Sequence, residues 1–121
     1  MTTKIQTNPE IPDDWWTQSG MYQFARYTRA YPTTYLTEVM VIPISEIKPI
    51  VRTREPPFDE QRMLEILRGF VRQSPIPPII VEKKSSIEEF RYELLNGFHR
   101  YYASRAAGFD MIPVVFSEFI R

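Results

Sequence analysis

The run Asn96-Gly97-Phe98-His99-Arg100 gathers the groups that an anion site requires. A helix is expected to start at about His99, and a helix start carries unpaired backbone N–H groups and roughly half a positive charge. Gly97 has no Cβ, so its backbone is expected to let a ligand approach closely. Arg100 adds a planar fork of donors matched to phosphate oxygens. His99 adds a ring donor, and Asn96 completes the turn. The apolar pairs Leu94-Leu95 before it and Val114-Val115 after it give the turn rigid supports. This is the general construction of an anion site at a helix start. The same residues also suit a plain glycine turn in which His99 caps the helix and Arg100 is solvated.

The elements that must position this turn are legible in the hydrophobic pattern. Val39 to Ile42 is an apolar run that predicts a strand within Glu38–Ile47, and Lys48 to Pro57 is a proline-rich loop with Lys48, Arg52 and Arg54. Met63, Ile66, Leu67, Phe70 and Val71 follow i, i+3, i+4, i+7, i+8, which predicts a helix over Asp59–Gln73 with Asp59 as N-cap. Ile79-Ile80-Val81 and Arg91–Leu95 predict two strands joined as a hairpin through a charged turn. A second helix is expected over His99–Ala107, closed by Gly108, and a last strand over Met111–Phe116. Trp16, Gly20, Phe24, Tyr27 and Tyr31 fall at helical spacing, so a helix is expected somewhere in Trp15–Ala30, ended by Pro32. The expected fold is a small α/β (α+β) domain: a mixed sheet of about four strands, two main helices and an aromatic helical extension at the N-terminus. The expected division is a flexible tail over 1–14, the extension over 15–38 and the domain over 39–121.

Composition removes several chemistries. The 121 residues include no cysteine and one histidine, so disulfides, thiol nucleophiles, iron–sulfur clusters and multi-histidine metal sites are excluded. No resident metal site is expected, although magnesium carried on a ligand's phosphates remains open. Fifteen basic and fifteen acidic residues balance, so bulk charge does not announce a nucleic-acid binder. No apolar run approaches the ~20 residues that cross a bilayer, so no membrane partner is expected and the default location is the cytoplasm. Protein partners and oligomeric state are not readable from the pattern.

The ordered set Val41-Ile42-Pro43-Ile44-Ser45-Glu46-Ile47-Lys48-Pro49, the helix Asp59–Gln73, Pro77-Pro78-Ile79-Ile80-Val81, Leu94–Arg100, and Ala107-Gly108 with Ile112–Val115 resembles the ParB/sulfiredoxin superfamily over Val39–Phe116. The resemblance implies a nucleotide whose phosphates sit at the Gly97–Arg100 helix start. Sulfiredoxins use a glycine-cysteine-histidine-arginine turn with ATP and magnesium. Phe98 stands at the cysteine position here, which rules out thiol-dependent repair. His99 and Arg100 match, and Arg62 stands near the place of a nucleotide-binding lysine. ParB proteins are similar in fold and bind CTP, and they carry DNA-binding and dimerisation segments beyond this domain. A partition role is therefore not expected from this chain alone. A third branch, the free-serine kinases, uses ADP and a glutamate after a lysine-proline pair. Here Lys48-Pro49 is followed by Glu55, Asp59 and Glu60.

Three readings follow. In the first, a nucleotide (ATP, ADP or CTP, with magnesium) is bound by Asn96, Gly97, His99, Arg100, Arg62, Arg52 and Arg54, with Glu55, Glu60 and His99 as candidates for phosphotransferase or hydrolase chemistry. In the second, the interleaved Tyr22, Arg26, Tyr27, Arg29 and Tyr31 bind nucleic acid in a nuclease-like protein. In the third, Trp15-Trp16 anchors a non-catalytic interaction module.

Overall fold

Helix α2 (Glu60–Arg72) forms where the apolar period places it. Asp59 precedes it with extended backbone, and its Oδ2 accepts from the Arg62 N–H at 2.9 Å. Such a cap satisfies one of the donors that a helix start leaves unpaired. In this computed structural model, which describes residues 9–34, 37–50, 52, 55–85 and 89–119, α2 buries Met63, Leu64, Leu67 and Phe70. Val71, expected on the covered face, is 41% exposed. Leu64, outside the expected stripe, is buried as well, and both α1 (Asp13–Ser19) and α3 (Phe98–Ala107) pack on α2.

The described strands are β1 (Met40–Pro43), β2 (Ile47–Lys48), β3 (Ile79–Lys83), β4 (Tyr92–Asn96) and β5 (Met111–Phe116). They form one five-stranded mixed sheet in the order β1-β5-β3-β4-β2. The expected hairpin is present: β3 and β4 run antiparallel, with Val81 opposite Leu94. β5 lies parallel to β3, and β1 runs antiparallel to β5. The extra strand is β2, only two residues long, which pairs parallel with β4 at Tyr92 and Glu93. Two residues carry no readable period. The core lies between this sheet and α2 and α3, around Ile79, Val81, Leu94, Ile112 and Val114 on the sheet side.

The aromatic leader departs from its expected course. The helix ends at Ser19, because Gly20 takes a left-handed φ of 87° and closes it through its N–H on the Thr17 and Trp16 carbonyls. α1 starts at Asp13, two residues before the expected extension. A 3-10 turn follows over Met21–Gln23, and the chain then runs without regular helix to Ala30. Phe24 and Tyr31 do not share a helical stripe. They meet Phe70 and Phe109 in one ring cluster, with centroids 5.2 to 6.4 Å apart. Arg26 and Arg29 are spent on Asp110, at 3.5 and 3.2 Å. The Ile76 N–H donates to the Pro32 carbonyl at 2.9 Å, and the Thr33 hydroxyl donates to that of Ile76 at 2.6 Å. The leader therefore buttresses the segment that enters β3.

One residue joins β4 to α3. Gly97 has φ 113°, and a Cβ built on it would lie 2.5 Å from Cγ2 of Ile79 and 2.9 Å from its Cβ. From sequence, the missing Cβ is expected to admit a ligand. The structure assigns it to β3, whose backbone and Ile79 side chain fill that space. Replacing Gly97 with alanine combines left-handed strain with overpacking, so Gly97→Ala should lower unfolding free energy by about 2 kcal/mol or more. Chemical denaturation measures this; an unchanged midpoint would contradict it.

Candidate functional site

α3 begins immediately after the joint, and no side chain caps its N-terminus. Its first turn meets the first turn of α2, because the Asp59 N–H donates to His99 Nε2 at 2.8 Å. Nε2 is therefore the unprotonated nitrogen and Nδ1 carries the proton. His99 is 6% exposed and sits against Phe58 and Phe98. The expectation that His99 serves as a donor to a ligand meets this finding: one ring nitrogen already fastens the two helix starts together. Two positive macrodipole ends thus converge on one place.

Beside them lies a cavity of about 450 Å3. Its floor is the turn from Leu95 to Arg100, one wall is Arg62, Glu65 and Ile66 of α2, and another is Ile76-Pro77. Ile50 and Arg52 close the remaining side. Six of the expected binding residues (Asn96, Gly97, His99, Arg100, Arg62 and Arg52) are brought together here. Glu55 and Glu60 are exposed and do not line the cavity. Arg54 lies outside the described residues. Among the described residues, no group of three or more histidines, aspartates or glutamates is placed to hold a metal ion.

Each arginine is held differently. Arg100 Nη1 donates to the Pro78 carbonyl at 2.6 Å and the Pro77 carbonyl at 3.2 Å. Burial holds the Arg100 guanidinium below the ordinary arginine value, the Tyr31 hydroxyl opposes this, and the positive charge of Arg62 adds to it. The two cations thus feel each other across the cavity. Arg62 is exposed, and among the described residues its guanidinium makes no hydrogen bond or ion pair. Arg52 is stacked on Phe98, its guanidinium carbon 3.9 Å from the ring centroid. Against these three guanidiniums the cavity sets one carboxylate among the described residues, Glu65. In a chain with no net charge, that is a local positive excess.

Glu65 and the Ile76-Pro77 wall were not found from sequence. Glu65 was within reach, since it lies three residues after Arg62 on the same helix face. The Ile76-Pro77 wall was not, because the leader places it. The Tyr31 hydroxyl donates to the Pro77 carbonyl at 2.8 Å, so Tyr31 and Arg100 share that acceptor.

Residues 31–120 match the family model described as ParB N-terminal domain. A curated relative, the nucleoid occlusion protein of Halalkalibacterium halodurans, is 32% identical over 82 residues, covering 68% of this chain and 28% of that protein. The chain thus spans under a third of the length of that relative. Among solved structures it is similar to sulfiredoxin from Arabidopsis thaliana, with TM-score 0.51, 20% identity and coverage of 64% of this chain and 82% of that one. It is also similar to the C-terminally truncated chromosome-partitioning protein ParB from Caulobacter crescentus complexed with CTP-gamma-S. That likeness has TM-score 0.50, 19% identity and coverage of 64% and 43%. Both share its fold. Among the described residues, no helix is long and apolar enough to cross a membrane. The chain belongs to the ParB N-terminal domain family.

Two outcomes follow from the site's internal bonds. His99→Ala removes the acceptor of the Asp59 N–H and should cost about 2 kcal/mol of stability, read by thermal or urea melts; a melt like that of the unaltered chain would contradict this. Burial raises the Tyr31 pKa above the ordinary tyrosine value, with Arg100 pulling it down. A raised folded-state pKa gives stability that is complete below the unfolded value of about 10 and is lost as pH rises above it. Stability should therefore fall above about pH 10, and Tyr31→Phe should flatten that fall; equal slopes for the two proteins would contradict it.

Proposed function

We propose that this member of the ParB N-terminal domain family binds a nucleotide, or another ligand bearing phosphate, in the cavity between the starts of α2 and α3. The observation that carries the reading is the lining: Arg52, Arg62 and Arg100 around one cavity, with Glu65 as its one carboxylate among the described residues. Guanidiniums gathered round one cavity attract an anion, and their fork of donors matches phosphate geometry. The converging helix starts favour the same charge. CTP is the first nucleotide to test, because the Caulobacter crescentus ParB was solved with a CTP analogue. Magnesium fits the cavity only as a passenger: Glu65 offers it one carboxylate, so the ion would keep phosphate and water as its other ligands. Bound there, it would screen phosphate charge.

Glu55 and Glu60 stand outside the cavity lining, which weighs against general-base roles for them. The leader, with Tyr31 buried and Arg26 and Arg29 paired to Asp110, gives less support to a nucleic-acid groove than to a structural brace. Trp15 and Trp16 are partly buried and pack against the core, which supports the same bracing role over a docking handle.

Calorimetry with CTP, ATP, ADP and GTP, each with magnesium, tests the reading. Heat of binding is expected for at least one nucleotide at or below millimolar concentration. Arg62→Ala, which removes an exposed side chain, should weaken it about tenfold while leaving the melting temperature unchanged. No binding of any nucleotide would overturn the reading, as would an Arg62→Ala variant with unaltered affinity.

A further inference from the structure

One of the cavity's three cations lies against an aromatic ring. Phe98 is 3% exposed, and its ring is fixed by Tyr102 at 4.9 Å and Phe58 at 5.4 Å between centroids. The outer side of that ring carries the Arg52 guanidinium at 3.9 Å. Both residues line the cavity. Two positions before Arg52, the Tyr102 hydroxyl donates to the Ile50 carbonyl at 3.2 Å. The first turn of α3 and its next thus hold the same short stretch of loop, one through a ring face and one through a hydroxyl.

We infer that Phe98 is a positioning residue for ligand binding: it seats Arg52 over the cavity as a preset phosphate clamp. This rests on the reading of the cavity as a phosphate site. A loop arginine otherwise samples many rotamers, and ordering one on binding costs affinity. A guanidinium stacked on a ring is already ordered and is less strongly hydrated than an ammonium. The ring's negative face also offsets part of the repulsion from Arg62 and Arg100 before any ligand arrives. The side chain that removes thiol chemistry from this turn thereby supplies a different service to the same ligand.

A double-mutant cycle tests this with two probes, CTP plus magnesium and inorganic tripolyphosphate, titrated calorimetrically into the full chain. Phe98→Leu should weaken binding about fivefold although no charge is lost, and the dependence of affinity on salt should keep its slope. In an Arg52→Ala background the same change should have no further effect. Arg52→Lys keeps the charge without the stacking plane, and it should lose nearly as much as Arg52→Ala; this variant also serves if Phe98→Leu does not fold. Equal effects of Phe98→Leu with and without Arg52 would overturn the inference, as would full affinity in Arg52→Lys. If the unaltered chain binds neither probe, the phosphate reading itself falls and the clamp falls with it.

Discussion

Gly97 is pressed against Ile79. The contact is so close that no side chain fits between the β4–α3 joint and β3, and the backbone there is left-handed. This one constraint sets where α3 starts and which way it leaves the sheet. The start of α3 in turn places His99 against the first residue before α2, Arg100 against the carbonyls that lead into β3, and Phe98 beneath Arg52. A joint one residue longer would move all three partners at once. The site is therefore a property of the strand-to-helix packing, with the side chains added to it.

The arrangement also explains how three guanidiniums are kept together in a chain of zero net charge. Bringing cations near each other in a partly dry place is unfavourable. Arg100 is offset by two carbonyl acceptors and Arg52 by a ring face, while Arg62 stays in solvent. Such preset groups need little reorganisation when an anion arrives, which is the physical basis of preorganised binding. The leader takes part at a distance. Tyr31, Pro32 and Thr33 hold Ile76-Pro77, and that segment holds Arg100.

Much of this was legible in the chain itself. The period of α2, the glycine that closes α3, the hairpin and the last strand are strong local signals, and Asp59 caps the helix it was expected to cap. The turn at Asn96–Arg100 stands out by its residue types alone, and seven of the residues that line the cavity with it come from elsewhere in the chain. What sequence did not yield was tertiary. The direction of the absent Cβ of Gly97, the acceptor role of His99 and the perch of Arg52 depend on which element lies opposite. The leader misled because aromatics at helical spacing serve a ring cluster equally well, and Gly20 breaks the helix that the spacing suggests. β2 was too short to read. Glu65 was on the right face of the right helix and lacked only the knowledge that the face lines a cavity.

The central claim, that a phosphate ligand sits where α2 and α3 begin, is tested most directly by backbone amide NMR shifts during titration with CTP and magnesium. The expected result is saturable shifts concentrated at Gly97 to Arg100 and at Arg62 to Ile66. Shifts confined to a second cavity, lined by Trp16 and Arg105, or no saturable shifts at all, would contradict it.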